Sequence, residues 1–149
     1  MGDLTTNFDT TEFPQGEVLH ASPLVFKALQ GLRGEAGPIA PSKVKGALAR
    51  FDGGTSQHST KNGPSKAVDF FPENPIQAFL KSFKYFNGIG IYLDTRNNNG
   101  DQAIMIHGDL RTSPVWWIRI AGEYIYPKTE KARLAALEAV YSYEIQKRL

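Results

Sequence analysis

The sequence predicts an α+β fold, an antiparallel sheet packed against helices in a single domain. Three observations carry this. Apolar residues recur at helical spacing before residue 88 and again at the C-terminal end. Short apolar runs of strand length cluster between residues 89 and 126. The links between those runs are too short for the helical crossovers of a doubly wound parallel sheet. No Gly-rich phosphate loop follows a strand. At 149 residues the chain fits one domain with one core.

Taken in order, residues 1–16 are polar and turn-rich and read as a loosely attached segment ahead of a domain over 17–149. From Pro23, the run PLVFKALQGLRGEAG sets Leu24, Leu29 and Leu32 near one helical stripe, with Gly34 and Gly37 as stop signals. Residues 37–54 read as a loop with a short strand or turn. A polar Gly/Ser/Asn-rich loop over 53–66 then gives way to Ala67-Val68-Asp69-Phe70-Phe71. An aspartate inside so short an apolar run needs a partner, because an unpaired buried charge is costly. Pro75 opens a second helix with Ile76, Phe79, Leu80 and Phe83 in register, ended by Asn87-Gly88. Strands are expected over 89–93, 103–107 and 115–120, with the polar loop DTRNNNGDQ between the first two. A short strand over 123–126 follows the turn at Ala121-Gly122. Lys128 to Leu149 reads as a long helix with Leu134, Leu137, Val140, Tyr141 and Ile145 inward. Its interleaved charges mark a solvated face rather than a lipid anchor. Phe70, Phe71, Phe79, Phe83 and Phe86 read as core.

Composition narrows the chemistry. The formal charge of +2 is too small for a nucleic-acid binder, which carries a clustered basic stripe. No apolar run approaches the roughly 20 residues of a membrane helix. The N-terminal run MGDLTTNFDTTEF has neither a basic start nor an apolar core, so no signal peptide is expected. With no cysteine in the chain, any metal must be held by nitrogen and oxygen.

Two of the three histidines stand in informative company: His58 after Ser56-Gln57, and His107 before Gly108-Asp109. His20 has none of it. Two imidazoles and the carboxylate of Asp69, from separate segments, would make a three-ligand zinc site with one position left for water. Alternation along a strand puts His107 and Asp109 on one face. Asp109 would there orient a ligand or handle a proton; alternatively it caps the turn before Leu110-Arg111-Thr112 or pairs with Arg111. Of Trp116 and Trp117, one points inward and one outward, where it would line a cleft. Arg111 and Arg119 offer planar forks for substrate carboxylates or for surface ion pairs.

The run Ser56-Gln57-His58, a polar loop and Ala67-Val68-Asp69-Phe70 resembles the Ser-x-His…Ala-x-Asp signature of the zinc D-alanyl-D-alanine carboxypeptidase-like peptidases. That group includes phage endolysins cutting the L-alanyl-D-glutamate bond and shares its metal scaffold with the hedgehog signalling domain. Gly88-Ile89-Gly90-Ile91-Tyr92, Ile106-His107-Gly108-Asp109-Leu110-Arg111 and Trp116-Trp117 resemble the group's closing segments. Leu29 to Arg33 and Gly37-Pro38-Ile39 are similar to its first helix and exit, so the likeness spans about residues 24–120. It implies a hedgehog/peptidase-like fold with Zn2+ on His58, Asp69 and His107. Arg50 would act near the substrate, and Ser56 would hydrogen-bond within the ligand loop. Ser56, Arg111, Trp116 and Trp117 then stand as substrate-side residues.

Two departures stand out. Ten residues, Ser59 to Val68, separate His58 from Asp69, where six are commoner. The positions three and two before His107, where many members carry a catalytic acid or a second histidine, are Ile104 and Met105. The base is therefore assigned to Asp109, with Asp101 and Glu123 as the other acids. The implied activity is hydrolysis of a peptidoglycan stem-peptide amide, of D-Ala-D-Ala or L-Ala-D-Glu type, by a phage-encoded enzyme. Such an enzyme would be made in the host cytoplasm and act on the cell wall, free as a monomer or with other virion proteins. The alternative is a zinc-binding structural or wall-binding module without catalysis.

Overall fold

The computed structural model describes residues 8–148, which form an α+β domain. Helix α1 (Pro23–Ala36) begins where Ser22 Oγ accepts the Leu24 N–H at 3.3 Å and Pro23 fills the first turn. It ends at Gly37, whose φ of 88° lies in the left-handed region that favours glycine. Its inward stripe is Val25, Phe26, Leu29, Leu32 and Ala36. Leu24, expected on that stripe, is exposed. Strands β1 (Ile39–Pro41) and β2 (Ala67–Pro72) flank the long loop that carries His58. Helix α2 (Pro75–Ser82) stops short of Asn87, and its C-cap Phe83 and Leu80 stay exposed. Strands β3 (Gly88–Arg96), β4 (Gln102–Asp109), β5 (Val115–Ile120) and β6 (Glu123–Ile125) follow, then helix α3 (Glu130–Arg148).

The sheet runs β1-β2-β4-β3-β5-β6 and is mixed, not purely antiparallel. β3 and β5 are parallel neighbours; every other pair is antiparallel. The exception follows from occupancy. β2 already covers the outer edge of β4, so the chain leaving Asp109 must pass to the far edge of β3. Asp109 and Val115 both lie opposite Gly88, so β5 starts at the end where β3 starts and runs with it. A sheet-wide meander cannot be distinguished from this order by strand pattern alone.

Alternation then divides the sheet into two faces. Val68, Phe70, Ile89, Ile91, Ile104, Ile106 and Ile118 pack into one apolar core with α1 and α2. The opposite face carries Asp69, Met105, His107, Asp109, Gly90, Tyr92, Trp117 and Arg119. This second face is where the polar residues of the sheet meet.

Two expectations about the periphery change. Residues 1–7 lie outside the described part, but the rest of the leader is not loose. Phe8 and Phe13 are buried, Phe13 packs edge-on against Phe26 at 5.1 Å, and the Arg33 guanidinium lies 3.7 Å above the Phe8 ring. On α3 the buried positions are Ala136, Val140 and Glu144, whereas Leu134, Tyr141 and Ile145 are exposed. The helix thus turns Ala136 and Val140 to the core, with Leu137, Ala139 and Tyr143 packed against it. No helix among the described residues is long and apolar enough to cross a membrane.

Candidate metal centre

Asp69 and His107 are cross-strand partners on β2 and β4, and His58 reaches them from the preceding loop. All three are buried. His58 Nε2 lies 3.2 Å from Asp69 Oδ1 and 3.1 Å from His107 Nδ1, and His107 Nδ1 lies 3.1 Å from Asp69 Oδ1. Three donor atoms thus form a nearly equilateral triangle. Tetrahedral zinc, with bonds of about 2.0–2.1 Å to nitrogen and oxygen, holds its ligand atoms about 3.3 Å apart. The residues present fit a zinc ion, and no other group of His, Cys, Asp or Glu among the described residues converges this way.

The ring orientations fit the same reading. His58 Nδ1 faces the Leu48 carbonyl at 3.3 Å, and a carbonyl can only accept, so Nδ1 carries the proton and Nε2 presents its lone pair. His107 Nε2 faces Asp109 Oδ2 at 2.7 Å, which fixes its proton there and leaves Nδ1 for the centre. The ten-residue loop between His58 and Asp69 does not spoil the convergence. It is pinned by Arg50 N–H to the His58 carbonyl at 2.7 Å, Lys66 N–H to the Gln57 carbonyl at 2.9 Å, and His58 N–H to Ser56 Oγ at 3.1 Å. Ser56 thus accepts a hydrogen bond within the loop and also borders the cleft.

Asp109 has another role than the one assigned to it. It is fully buried, and its oxygens receive Arg111 Nε at 2.8 Å, Arg111 Nη2 at 2.7 Å and the His107 ring. It sits behind His107, on the ring nitrogen turned away from the centre, and does not line the cleft. The general-base assignment is therefore corrected: Asp109 orients His107 and ties down Arg111. Asp101 and Glu123 do not line the cleft either.

The motif Gly88-x-Gly90 has a steric cause. A Cβ at Gly88 would overlap the Asp109 carboxylate, and one at Gly90 would overlap the Trp117 indole. The two glycines are bays in β3 that let both groups lie flat on the sheet beside His107.

The centre opens onto a cleft of about 380 Å³ lined by Arg50, Ser56, Tyr92, Arg111, Trp117, Arg119 and Tyr124, among others. Trp117 packs beside His107 with ring centroids 5.3 Å apart. Trp116 points to the other face and packs on Phe79 and Phe83, so its assignment to the substrate side is corrected. Arg111 borders the cleft but its fork is committed to Asp109 and its plane to Trp117. Arg119 stands between Tyr92 and Tyr124, 5.7 and 5.5 Å from their ring centroids, with Nε on Asp94 at 3.1 Å. Tyr92 was visible only as the end of a motif. Its hydroxyl accepts from Trp117 Nε1 at 3.1 Å, and burial pushes its pKa well up, so it stays a neutral donor. Met105, Tyr92, Arg119 and Tyr124 form one cross-strand row beside the metal row, a relation set by register. Asp69 is the one carboxylate lining the cleft among the described residues.

Burial disfavours a charge on His107, but its hydrogen bonds to Asp109 and Asp69 outweigh this and raise it to about 9. Burial likewise opposes ionisation of Asp69, yet its two histidine partners hold the carboxyl well below the usual range. Asp109 is held low in the same way, with Arg111 outweighing desolvation. The sign for the metal-free protein follows. The His107 contribution is complete below its ordinary value of 6.5 and is lost as pH rises through about 9. The two aspartates contribute above their ordinary value of 3.8 and lose that contribution as pH falls below it. The thermal midpoint of the chelator-treated protein is expected to fall between pH 6.5 and 9.5. A midpoint unchanged over that range would remove His107 from this charge cluster. Zinc should offset the fall, since binding takes the proton from His107 Nδ1 and is favoured as pH rises.

No protein-family model, curated protein or solved structure matches this chain.

Proposed function

We propose that this protein is a zinc-dependent hydrolase of peptide amide bonds, acting on the stem peptide of peptidoglycan at a D-Ala-D-Ala or L-Ala-D-Glu type bond. The observation that carries it is the triangle of His58 Nε2, Asp69 Oδ1 and His107 Nδ1 at the floor of an open cleft. A zinc ion there would supply a Lewis acid and a water of lowered pKa, the chemistry amide hydrolysis requires. The likeness of the Ser56–Asp69 and Gly88–Arg111 segments to the D-alanyl-D-alanine carboxypeptidase-like peptidases supports the substrate class and a phage origin.

The chain's own residues would divide the remaining work. Arg50, with Nε on the Gly46 carbonyl at 3.0 Å, and Arg119 present two guanidinium groups to the cleft, suited to substrate carboxylates. Tyr92, kept neutral, donates its hydroxyl proton in a hydrogen bond to the oxyanion that forms at the scissile carbonyl. Trp117 walls the cleft and excludes water. The proton taken from the attacking water has to be returned to the leaving amine as the C–N bond breaks, and among the described residues lining the cleft the carboxylate that could carry it is Asp69, through the oxygen not shared by the two histidines.

A second reading rests on that last point. Asp69 is a weak base in this setting, so the protein would be a zinc-binding wall module that holds a stem peptide without cutting it. The test is direct. Purified protein with one equivalent of zinc is incubated with peptidoglycan and new amino groups are counted, with and without a chelator. Chelator-sensitive release, reduced by about 10²-fold or more in Tyr92→Phe as for loss of an oxyanion donor, supports the hydrolase. Zinc and peptidoglycan binding without release supports the module; absence of zinc binding overturns both.

A further inference from the structure

We propose that Glu17, a buried carboxylate 29 residues ahead of the turn it holds at Gly46, is a positioning residue of the metal centre. The inference rests on the zinc reading of the centre.

Glu17 is only 3% exposed, and its carboxylate is held by main-chain donors. Oε2 accepts Gly46 N–H at 2.7 Å, and Oε1 accepts Leu48 N–H at 3.0 Å and Ala49 N–H at 2.8 Å. Gly46, at φ 88°, takes the left-handed conformation that helps turn these donors toward one anion. The carbonyls of the same turn serve the metal centre. Gly46 O accepts from Arg50 Nε at 3.0 Å, Ala47 O from the Asp69 N–H at 3.0 Å, and Leu48 O from His58 Nδ1 at 3.3 Å. One short turn thus has its amides on Glu17 and three successive carbonyls on the cleft arginine and two metal ligands. With the amides anchored, the Leu48 carbonyl stays where it fixes the His58 ring and its tautomer. Glu17 acts on the centre through this turn and touches neither metal nor substrate.

The test measures zinc affinity by competition with a chromophoric chelator, in the full chain, for wild type, Glu17→Gln and Glu17→Asp. A control, Leu29→Ala, empties a fully buried site on α1 away from the turn. Glu17→Gln replaces one acceptor oxygen by a donor facing backbone N–H groups, and Glu17→Asp is too short to reach all three amides. Each is expected to weaken zinc about 10–100-fold, the range for partners that orient metal ligands. The His58 Nδ1 proton of the zinc-loaded variants should also exchange faster with solvent. Leu29→Ala should lower the thermal midpoint and leave zinc affinity within about 2-fold of wild type. Equal zinc affinity in wild type and both Glu17 variants overturns the inference, as does a loss no larger than that of Leu29→Ala. A variant too unstable to load with zinc is replaced in the comparison by the other. If wild type itself binds no zinc, it is the zinc reading that fails.

Discussion

Asp69→Ala is expected to abolish zinc binding at micromolar metal, and His58→Ala and His107→Ala to do nearly the same. A binding energy of about 10–16 kcal/mol shared by three protein ligands puts about 3–5 kcal/mol on each, or two to four orders of magnitude in affinity. Asp69 has the largest effect for a second reason. Among the described residues it is the one negative charge in contact with both histidines, each about 3 Å away through Oδ1, so its loss removes a ligand and the group that draws the two rings together. Metal content after gel filtration, with the zinc-induced rise in thermal midpoint, provides the measurement. A variant that keeps one equivalent of zinc and the full midpoint rise would place the metal elsewhere or nowhere.

Asp109→Ala is expected to weaken zinc about 10–100-fold and to destabilise the fold. A base at Asp109, the role its sequence position suggests, would instead have this substitution spare the metal and remove only hydrolysis. The structure reverses it. Asp109 is fully buried and holds His107 Nε2 and the Arg111 fork at 2.7 Å each. Its removal frees the His107 ring to rotate and leaves a guanidinium without its partner. Breaking a buried pair costs about 3–5 kcal/mol; the Arg111 side chain is 32% exposed, so solvent recovers part of this and the lower end is expected. Denaturant unfolding of the metal-free variant and zinc competition measure the two effects separately. Unchanged zinc affinity with lost hydrolysis would return Asp109 to the role of base.

Two-residue spacing on a strand places Asp109 on the face of His107. Spacing does not say which ring nitrogen faces the centre. That choice depends on Gly88, whose missing Cβ makes room for the carboxylate beneath the ring, and on Arg111 folding back two residues to clamp it. Trp116 and Trp117 behave alike: alternation said that one would face the cleft, and only the pairing of Trp117 with Gly90 and His107 on one row decided which.

The sequence by itself determined the α+β class, the helices at Pro23 and Pro75 and the main strands, because each follows from local signals; it marked His58, Asp69 and His107 by residue type and resemblance, and their meeting is tertiary. Those signals are apolar period, glycine and proline stops, and a carboxylate in an apolar run that has to find partners. Tertiary structure alone decided the parallel placement of β5, since that depends on β2 having taken the edge of β4. It also decided the rotation of α3, the burial of Phe8 and Phe13, the neutral Tyr92 beside the centre, and the turn held by Glu17. Each of these depends on which distant segment arrives at a given surface, and no period or spacing in a single chain encodes that directly.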